Sequence, residues 1–262
     1  MGESTLSVDY GALVKVIGNF VGYGRDSTKF DSKQSDDVEE ILQSGYRQFL
    51  YPPPLPGSDR GHEWTFLKPV RTLSTVADTG DYDLPDDFGG IEGPLTFEPD
   101  EAFHSIRIVG EAWIREKRET TYATGGYTGR PTHAAVQVQR TDGSVGQRYK
   151  ILFWPEPDSA YDLTYKYLAL PGKLTSTLPY PYGGMAHAET LIESCLSVAE
   201  SRLDDEFGLH NQLFLKQLGA SISIDSRHQR AEFLGYNKDG SDGRGLAYPR
   251  SRAVTFDSTL YP

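Results

Sequence analysis

Tyr161-Asp162-Leu163-Thr164-Tyr165-Lys166-Tyr167 alternates apolar and polar residues without a fault. A short way downstream, Ala188, Leu191, Ile192, Cys195, Leu196, Ala199 and Leu203 recur at three- and four-residue intervals. The first pattern is that of a half-buried strand; the second is that of a helix burying one stripe. Between them stands Pro179-Tyr180-Pro181-Tyr182-Gly183-Gly184, which neither element can run through. The chain therefore carries both kinds of structure, in separate blocks, and the change of period marks a boundary between them.

Working outward, the helical period continues after the break at Asp204-Asp205-Glu206-Phe207-Gly208. A fourth helix is expected from Asn211 to Gln229, with Phe214, Leu218, Ile222 and Asp225 on related faces. Arg227, His228 and Arg230 sit where a helix C-terminus favours positive charge. At the other end of the chain, Leu6 to Phe20 reads as a first helix capped by Ser7 and stopped by Gly22-Tyr23-Gly24. Gln34 to Tyr51 reads as a second, with Val38, Ile41, Leu42, Gly45, Tyr46 and Phe49 on one face and Pro52-Pro53-Pro54 ending it. Gly45 lies on the apolar face, where it costs helix propensity, so it predicts a close approach by another backbone.

From Trp64 to about Ala169 the period is two. Strands are expected at Val70–Thr75, Leu95–Phe97, Ile106–Ile108, Ala134–Val138, Tyr149–Phe153 and Tyr161–Tyr167, with a short helix from Glu111 to Thr120 and a loop over Gly125–Gly129. The fold class that follows is α+β. N- and C-terminal helix pairs (1–56 and 183–232) form a helical bundle, and an antiparallel β-rich domain (57–182) is inserted between them. Residues 233–262 show no periodicity but end in isolated apolar residues. They read either as an extended arm that orders by docking or as a frayed terminus.

The 262 residues carry 26 basic and 37 acidic side chains, a net charge of −11. That balance excludes a chain whose main work is gripping duplex DNA through phosphates. It suits a surface that DNA slides past, since an acidic wall repels phosphate. Asp36, Asp37, Glu39 and Glu40 crowd the expected first turns of the second helix, where the helix dipole favours them. They either line such a wall or are solvated helix ends. The 16 tyrosines suit surfaces that are wet in one state and buried in another, or the half-buried strands of a monomer.

Reactive chemistry is sought in vain. The single cysteine, Cys195, excludes a disulfide within the chain and falls on a helical apolar stripe, as a core residue does. The six histidines show no metal-binding spacing. The loop from Asn237 begins like a calcium loop but has Asp242 and Tyr248 where glycine and glutamate belong. Gly22-Tyr23-Gly24 follows a helix, not a strand, and no G-x-S-x-G elbow occurs. His187 and Glu189 open the third helix, where capping and dipole roles suffice. No catalytic, cofactor-binding or metal residue is assigned, and an enzyme is not expected. The opening Met1-Gly2-Glu3-Ser4-Thr5 lacks the basic and apolar regions of a signal peptide, and no apolar run is long enough to span a bilayer.

Several phrases together resemble a known family. Gly22-Tyr23-Gly24-Arg25-Asp26, Gly45-Tyr46-Arg47-Gln48-Phe49 with Pro52-Pro53, Trp64-Thr65-Phe66-Leu67, Tyr82-Asp83-Leu84-Pro85-Asp86-Asp87-Phe88, and Trp154-Pro155 leading through Tyr161–Tyr167 to Gly183-Gly184 resemble the head-to-tail adaptor (connector, neck) proteins of tailed bacteriophages. The resemblance spans residues 8 to 236. It implies a structural subunit of the virion neck, assembled in the host cytoplasm into a homo-oligomeric ring of twelve. It further implies a portal protein on one side, a tail or neck protein on the other, DNA passing through the lumen without sequence-specific binding, and no cofactor or membrane. On that reading Tyr248, Val254, Phe256, Leu260 and Tyr261 of the arm are the expected portal contacts, and Asp36, Asp37, Glu39 and Glu40 the expected channel lining. Two alternatives stay open: a stopper or tail-tube ring, and a carbohydrate-binding β module that uses Trp113, Trp154 and tyrosines as sugar platforms.

Overall fold

The computed structural model describes residues 4–56, 59–98, 104–122, 127–141, 143–204 and 208–227. Among these it contains five α-helices and two sheets, an α+β chain.

The first helix, α1 (Tyr10–Phe20), starts later than the sequence suggests. Asp9 rather than Ser7 is its cap: the Asp9 carboxylate accepts the Ala12 N–H at 2.7 Å. Gly22 and Gly24 end it with φ of +90° and +94°, a conformation that a side chain would strain. The second helix, α2 (Ser32–Leu50), starts earlier than expected because Asp31 and Gln34 form a capping box. The Asp31 carboxylate accepts the Gln34 N–H at 2.7 Å, and the Gln34 side chain accepts the Asp31 N–H at 3.1 Å. Asp36, Asp37, Glu39 and Glu40 therefore lie beyond its first turn, which carries no acidic residue.

The α2 stripe is buried as its spacing requires, at Val38, Ile41, Leu42, Gly45, Tyr46 and Phe49. It packs against α4 (Ala188–Asp204), which in turn packs on α5 (Leu209–Ser226). One hydrophobic cluster joins Leu13 and Ile17 of α1, the α2 stripe, Leu191, Cys195 and Ala199 of α4, and Phe214 and Leu218 of α5. Gly45 is the closest point. A Cβ placed there would stand 2.5 Å from the Cys195 Cα and 2.9 Å from its backbone nitrogen. Ser194 Oγ then donates to the Gly45 carbonyl at 2.8 Å, fixing the contact. Leu67 of the tight turn Thr65–Leu67 and Trp64 just before it enter the same cluster, and the Trp64 indole N–H donates to the Phe49 carbonyl at 2.9 Å.

The strands are β1 (Val70–Ser74), β2 (Asp81–Asp83), β3 (Phe88–Thr96), β4 (Arg107–Ile108), β5 (His133–Val138), β6 (Tyr149–Trp154) and β7 (Asp162–Ala169). They form a three-stranded sheet in the order β1-β7-β3 and a four-stranded sheet in the order β2-β6-β5-β4. All pairs are antiparallel except β4 with β5, a departure from the expected purely antiparallel block. The helix α3 (Glu111–Tyr122) explains it. A helical crossover from β4 to β5 returns the chain to the same end of the sheet, so the two strands run in the same direction. Period-two alternation decides which layer each residue enters. Ala134, Ile151 and Phe153 join Leu163, Tyr165 and Tyr167 in one core, while Ala135 and Leu152 point the other way, beneath Ile114 of α3.

Candidate functional site

The candidate sites among the described residues are surfaces. The acidic residues of α2 come first. Asp36, Glu39, Glu40, Gln43 and Arg47 are spaced by three and four, so they share one ridge of the helix. With Ser44, Lys173 and Arg202 they line a groove of about 460 Å³. Arg202 of α4 reaches Glu40 at 3.1 Å. Three carboxylates thus share the groove with three cations, and the lining is charge-balanced. Asp37 is turned aside and accepts the Tyr23 hydroxyl at 3.1 Å. Tyr248, Val254, Phe256, Leu260 and Tyr261, with the rest of the expected arm, lie outside the described residues.

A second surface was not legible as one from the sequence. Tyr51, next to Pro52-Pro53-Pro54, and the segment Leu178 to Met185 both surround the C-terminal end of α2. The Tyr182 N–H donates to the Tyr46 hydroxyl at 3.3 Å, and the Tyr10 N–H donates to the Pro179 carbonyl at 2.8 Å. Burial pushes the Tyr46 hydroxyl up to about 12, against the opposing effect of the hydrogen bond from the Tyr182 backbone. Around this buried anchor, Leu6, Tyr51, Leu178, Tyr180, Tyr182 and Met185 each expose between 41% and 74% of their surface. Pro53, Pro54 and Pro56 are exposed as well. Their sequence signature was that of helix stops, which hid the fact that the stops meet.

A third surface lies on the far side of the four-stranded sheet. Trp113 of α3 and Trp154 of β6 stand perpendicular, with ring centroids 5.5 Å apart. His133 lies 4.6 Å from Trp113, and the exposed Tyr127 lies 6.2 Å from Trp154. Lys117 Nζ sits 5.6 Å from the Trp113 ring centre. Burial, and secondarily the Arg107 charge, lowers the His133 pKa and favours the neutral imidazole. The base of this cluster is held by Arg118, whose guanidinium donates to Asp81 at 2.6 Å and to the carbonyls of Gly80 and Phe153 at 2.9 and 3.0 Å. Burial alone would raise the Asp81 carboxyl. The bonds from Arg118 and Lys150 outweigh it and hold that carboxyl below its ordinary range.

The remaining polar clusters are built into the fold. Asp225, in the last turn of α5, is buried and accepts the Thr65 N–H at 3.1 Å, the Thr65 hydroxyl at 2.5 Å and a hydrogen bond from His62 at 2.7 Å. Desolvation opposes its charge, but these bonds prevail and lower its pKa. His187 is buried among Phe49, Trp64 and Phe66. Cys195 is fully buried, and its thiol is pushed up to about 12, so it is no nucleophile. Among the described residues no group of three or more His, Cys, Asp and Glu side chains is placed to hold a metal ion. No helix of the described residues is long and apolar enough to cross a membrane.

The phrases that carried the family resemblance place some residues in the core and others at the surface. Leu84 and Phe88 are buried in the β core. The Tyr82 hydroxyl ties the turn before β2 by bonds to the Val76 N–H and carbonyl and to the Thr79 carbonyl. Asp87 accepts the Tyr167 hydroxyl at 3.1 Å. The model of the SU10 adaptor protein family matches residues 57–235, from just before Trp64 through the last helix. The chain belongs to that family, consistent with the resemblance to phage head-to-tail adaptors. A comparison with curated proteins finds no match.

Proposed function

We propose that this protein is the head-to-tail adaptor of a tailed phage, a virion subunit that forms a ring joining the portal to the next tail or neck protein. The observation that carries this is the family match across both the β block and the last two helices. The exposed Leu, Tyr and Met side chains near the C-terminal end of α2 support it. A ring subunit needs two different sticky faces, because head-to-tail contacts pair unlike patches. Six exposed Leu, Tyr and Met side chains around Tyr46 are more than a solitary surface residue or two.

The ring is proposed to contain twelve copies and to pass DNA through its lumen without sequence-specific contacts. The net charge of −11 keeps phosphate from adhering. Asp36, Asp37, Glu39 and Glu40 are the proposed lining, with Glu40 held by Arg202 and Asp37 by the Tyr23 hydroxyl. Tyr248, Val254, Phe256, Leu260 and Tyr261 are the proposed portal contacts of an arm that gains order on docking.

The test is assembly: purified protein is mixed with its portal and examined by light scattering and negative-stain microscopy. Rings stacked on the portal are expected. Truncation after residue 232 should abolish stacking on the portal; intact stacking by the truncated chain would refute the assignment of the arm.

A further inference from the structure

We propose that the Pro/Tyr face at the C-terminal end of α2 is the surface by which the folded body of the subunit docks on the portal, beside the point where the arm leaves it. This rests on the adaptor reading above and names the part of that contact that lies within the described residues. The composition of the face is that of an interface core. Neither of its two segments, 51–56 and 178–185, carries a charged residue, although 24% of the chain is charged. Interface cores are depleted of charge in this way and enriched in tyrosine and methionine. Tyr51, Tyr180 and Tyr182 are exposed, and their hydroxyls make no hydrogen bond among the described residues. The face therefore suits an apolar partner surface that also offers acceptors to hydroxyl groups.

Both segments are fixed before they meet a partner. Each residue before a proline is held out of the helical region, which stiffens Tyr51-Pro52-Pro53-Pro54-Leu55-Pro56. In the second segment Gly183 and Gly184 hold φ of +96° and +60°. Gly183 is seated so closely that an added Cβ would lie 3.2 Å from the Phe66 ring and 3.3 Å from the rings of His187 and Phe49. Groups already held in place lose less entropy on docking.

The end of α5 selects the portal as the occupant. A Cβ at Gly219 would lie 4.0 Å from Leu55, inside the first segment of the face. From there the helix runs only to Ser226, about 10 Å further at 1.5 Å per residue. Close to that end Asp225 accepts hydrogen bonds from Thr65 and His62. Thr65 is followed by Phe66, the residue packed against Gly183. Gly61 runs so near the first segment that a Cβ there would stand 2.4 Å from the Pro52 carbonyl oxygen. The last helix therefore ends at the rim of the face, and the arm proposed to hold the portal begins where that helix stops. A portal engaged by the arm is brought against the face.

The test titrates full-length protein against purified portal, with portal in excess so that a bound subunit has no neighbour. The double variant Leu178→Lys with Tyr180→Lys replaces two exposed side chains, and Val138→Lys, equally exposed on β5, is the control. Affinity for the portal is expected to fall at least about tenfold in the double variant and to stay unchanged in the control. Both variants are expected to melt as the wild type does. Hydroxyl-radical footprinting of the wild type under the same conditions reads the contact without a substitution: Tyr51 and Tyr180 are expected to be protected by the portal and Val138 is not. Unchanged affinity in the double variant, or no protection of Tyr51 and Tyr180 in the bound wild type, would overturn this contact and leave the adaptor reading intact. A double variant that binds excess portal normally but cannot form rings would overturn it in favour of a neighbouring copy. Wild-type protein that leaves excess portal free would overturn the contact, and one that ignores the portal at every ratio would overturn the adaptor reading with it.

Discussion

Gly45→Ala and Gly219→Ala are the same chemical change in the middle of two helices, and the structure predicts opposite signs. At Gly219 of α5 the nearest atom to an added Cβ is Leu55 Cδ1, 4.0 Å away, an ordinary contact. Only helix propensity changes, so Gly219→Ala stabilises by about 0.5–1 kcal/mol. At Gly45 the same methyl would lie 2.5 Å from Cys195 Cα, 2.8 Å from its Sγ and 2.9 Å from its backbone nitrogen. Carbon atoms rest at roughly 3.5–4 Å, so α4 must retreat by about 1 Å or more. Two of the three atoms are backbone, and no rotamer change relieves them. Overpacking of this kind costs about 1–3 kcal/mol. The retreat also stretches the 2.8 Å bond from Ser194 to the Gly45 carbonyl, which costs about 1 kcal/mol more. Against a propensity gain of about 1 kcal/mol, the net is about 2 kcal/mol of destabilisation. For a chain of this size that lowers the melting temperature by roughly 4–8 °C. Thermal melts followed by circular dichroism measure both variants in parallel. A Gly45→Ala protein that melts at or above the wild type would refute the close approach of α2 and α4.

Other expectations follow from buried polar groups. Asp225→Ala strands the Thr65 N–H and removes the partner of His62, and should cost about 2–4 kcal/mol in urea unfolding. Because the native Asp225 pKa is lowered, its contribution is present above the usual 3.8 and is lost as pH falls below that. The stability gap between wild type and variant should therefore narrow in acid, and a gap unchanged at low pH would contradict the assignment. Cys195 should resist a thiol reagent at pH 8 in the native protein and react fully in denaturant; rapid native labelling would show that the α2–α4 contact opens. Arg118→Ala removes three hydrogen bonds that tie α3 to Asp81, Gly80 and Phe153. Hydrogen exchange should rise throughout α3 while α2 and α4 stay protected, and unchanged exchange would show that α3 is anchored without Arg118.

The elements that were legible in the sequence are those whose side chains obey one period. The α2 stripe, the α4 stripe down to Ala199, and the alternation of Leu163, Tyr165 and Tyr167 could each be read directly, and so could the close approach at Gly45. Leu203 breaks the pattern, being half exposed at the end of α4. Boundaries were harder because caps compete locally: Ser7 and Asp9 are both good caps, and only the backbone decides between them. Strand β2 was invisible, since Asp81-Tyr82-Asp83 is short and carries one apolar residue. The parallel pairing of β4 with β5 depends on where α3 delivers the chain, which no local pattern records. The surfaces were less legible still. Asp225 finds His62 and Thr65 more than 150 residues earlier in the chain. Likewise, the two Pro/Tyr segments meet only because α2 and the start of α4 share a core.

The most direct test of the adaptor account is electron microscopy of the full-length protein mixed with its portal. The account predicts a ring of this chain stacked on the portal face, with density for a central channel. A protein that remains monomeric and ignores the portal would contradict it.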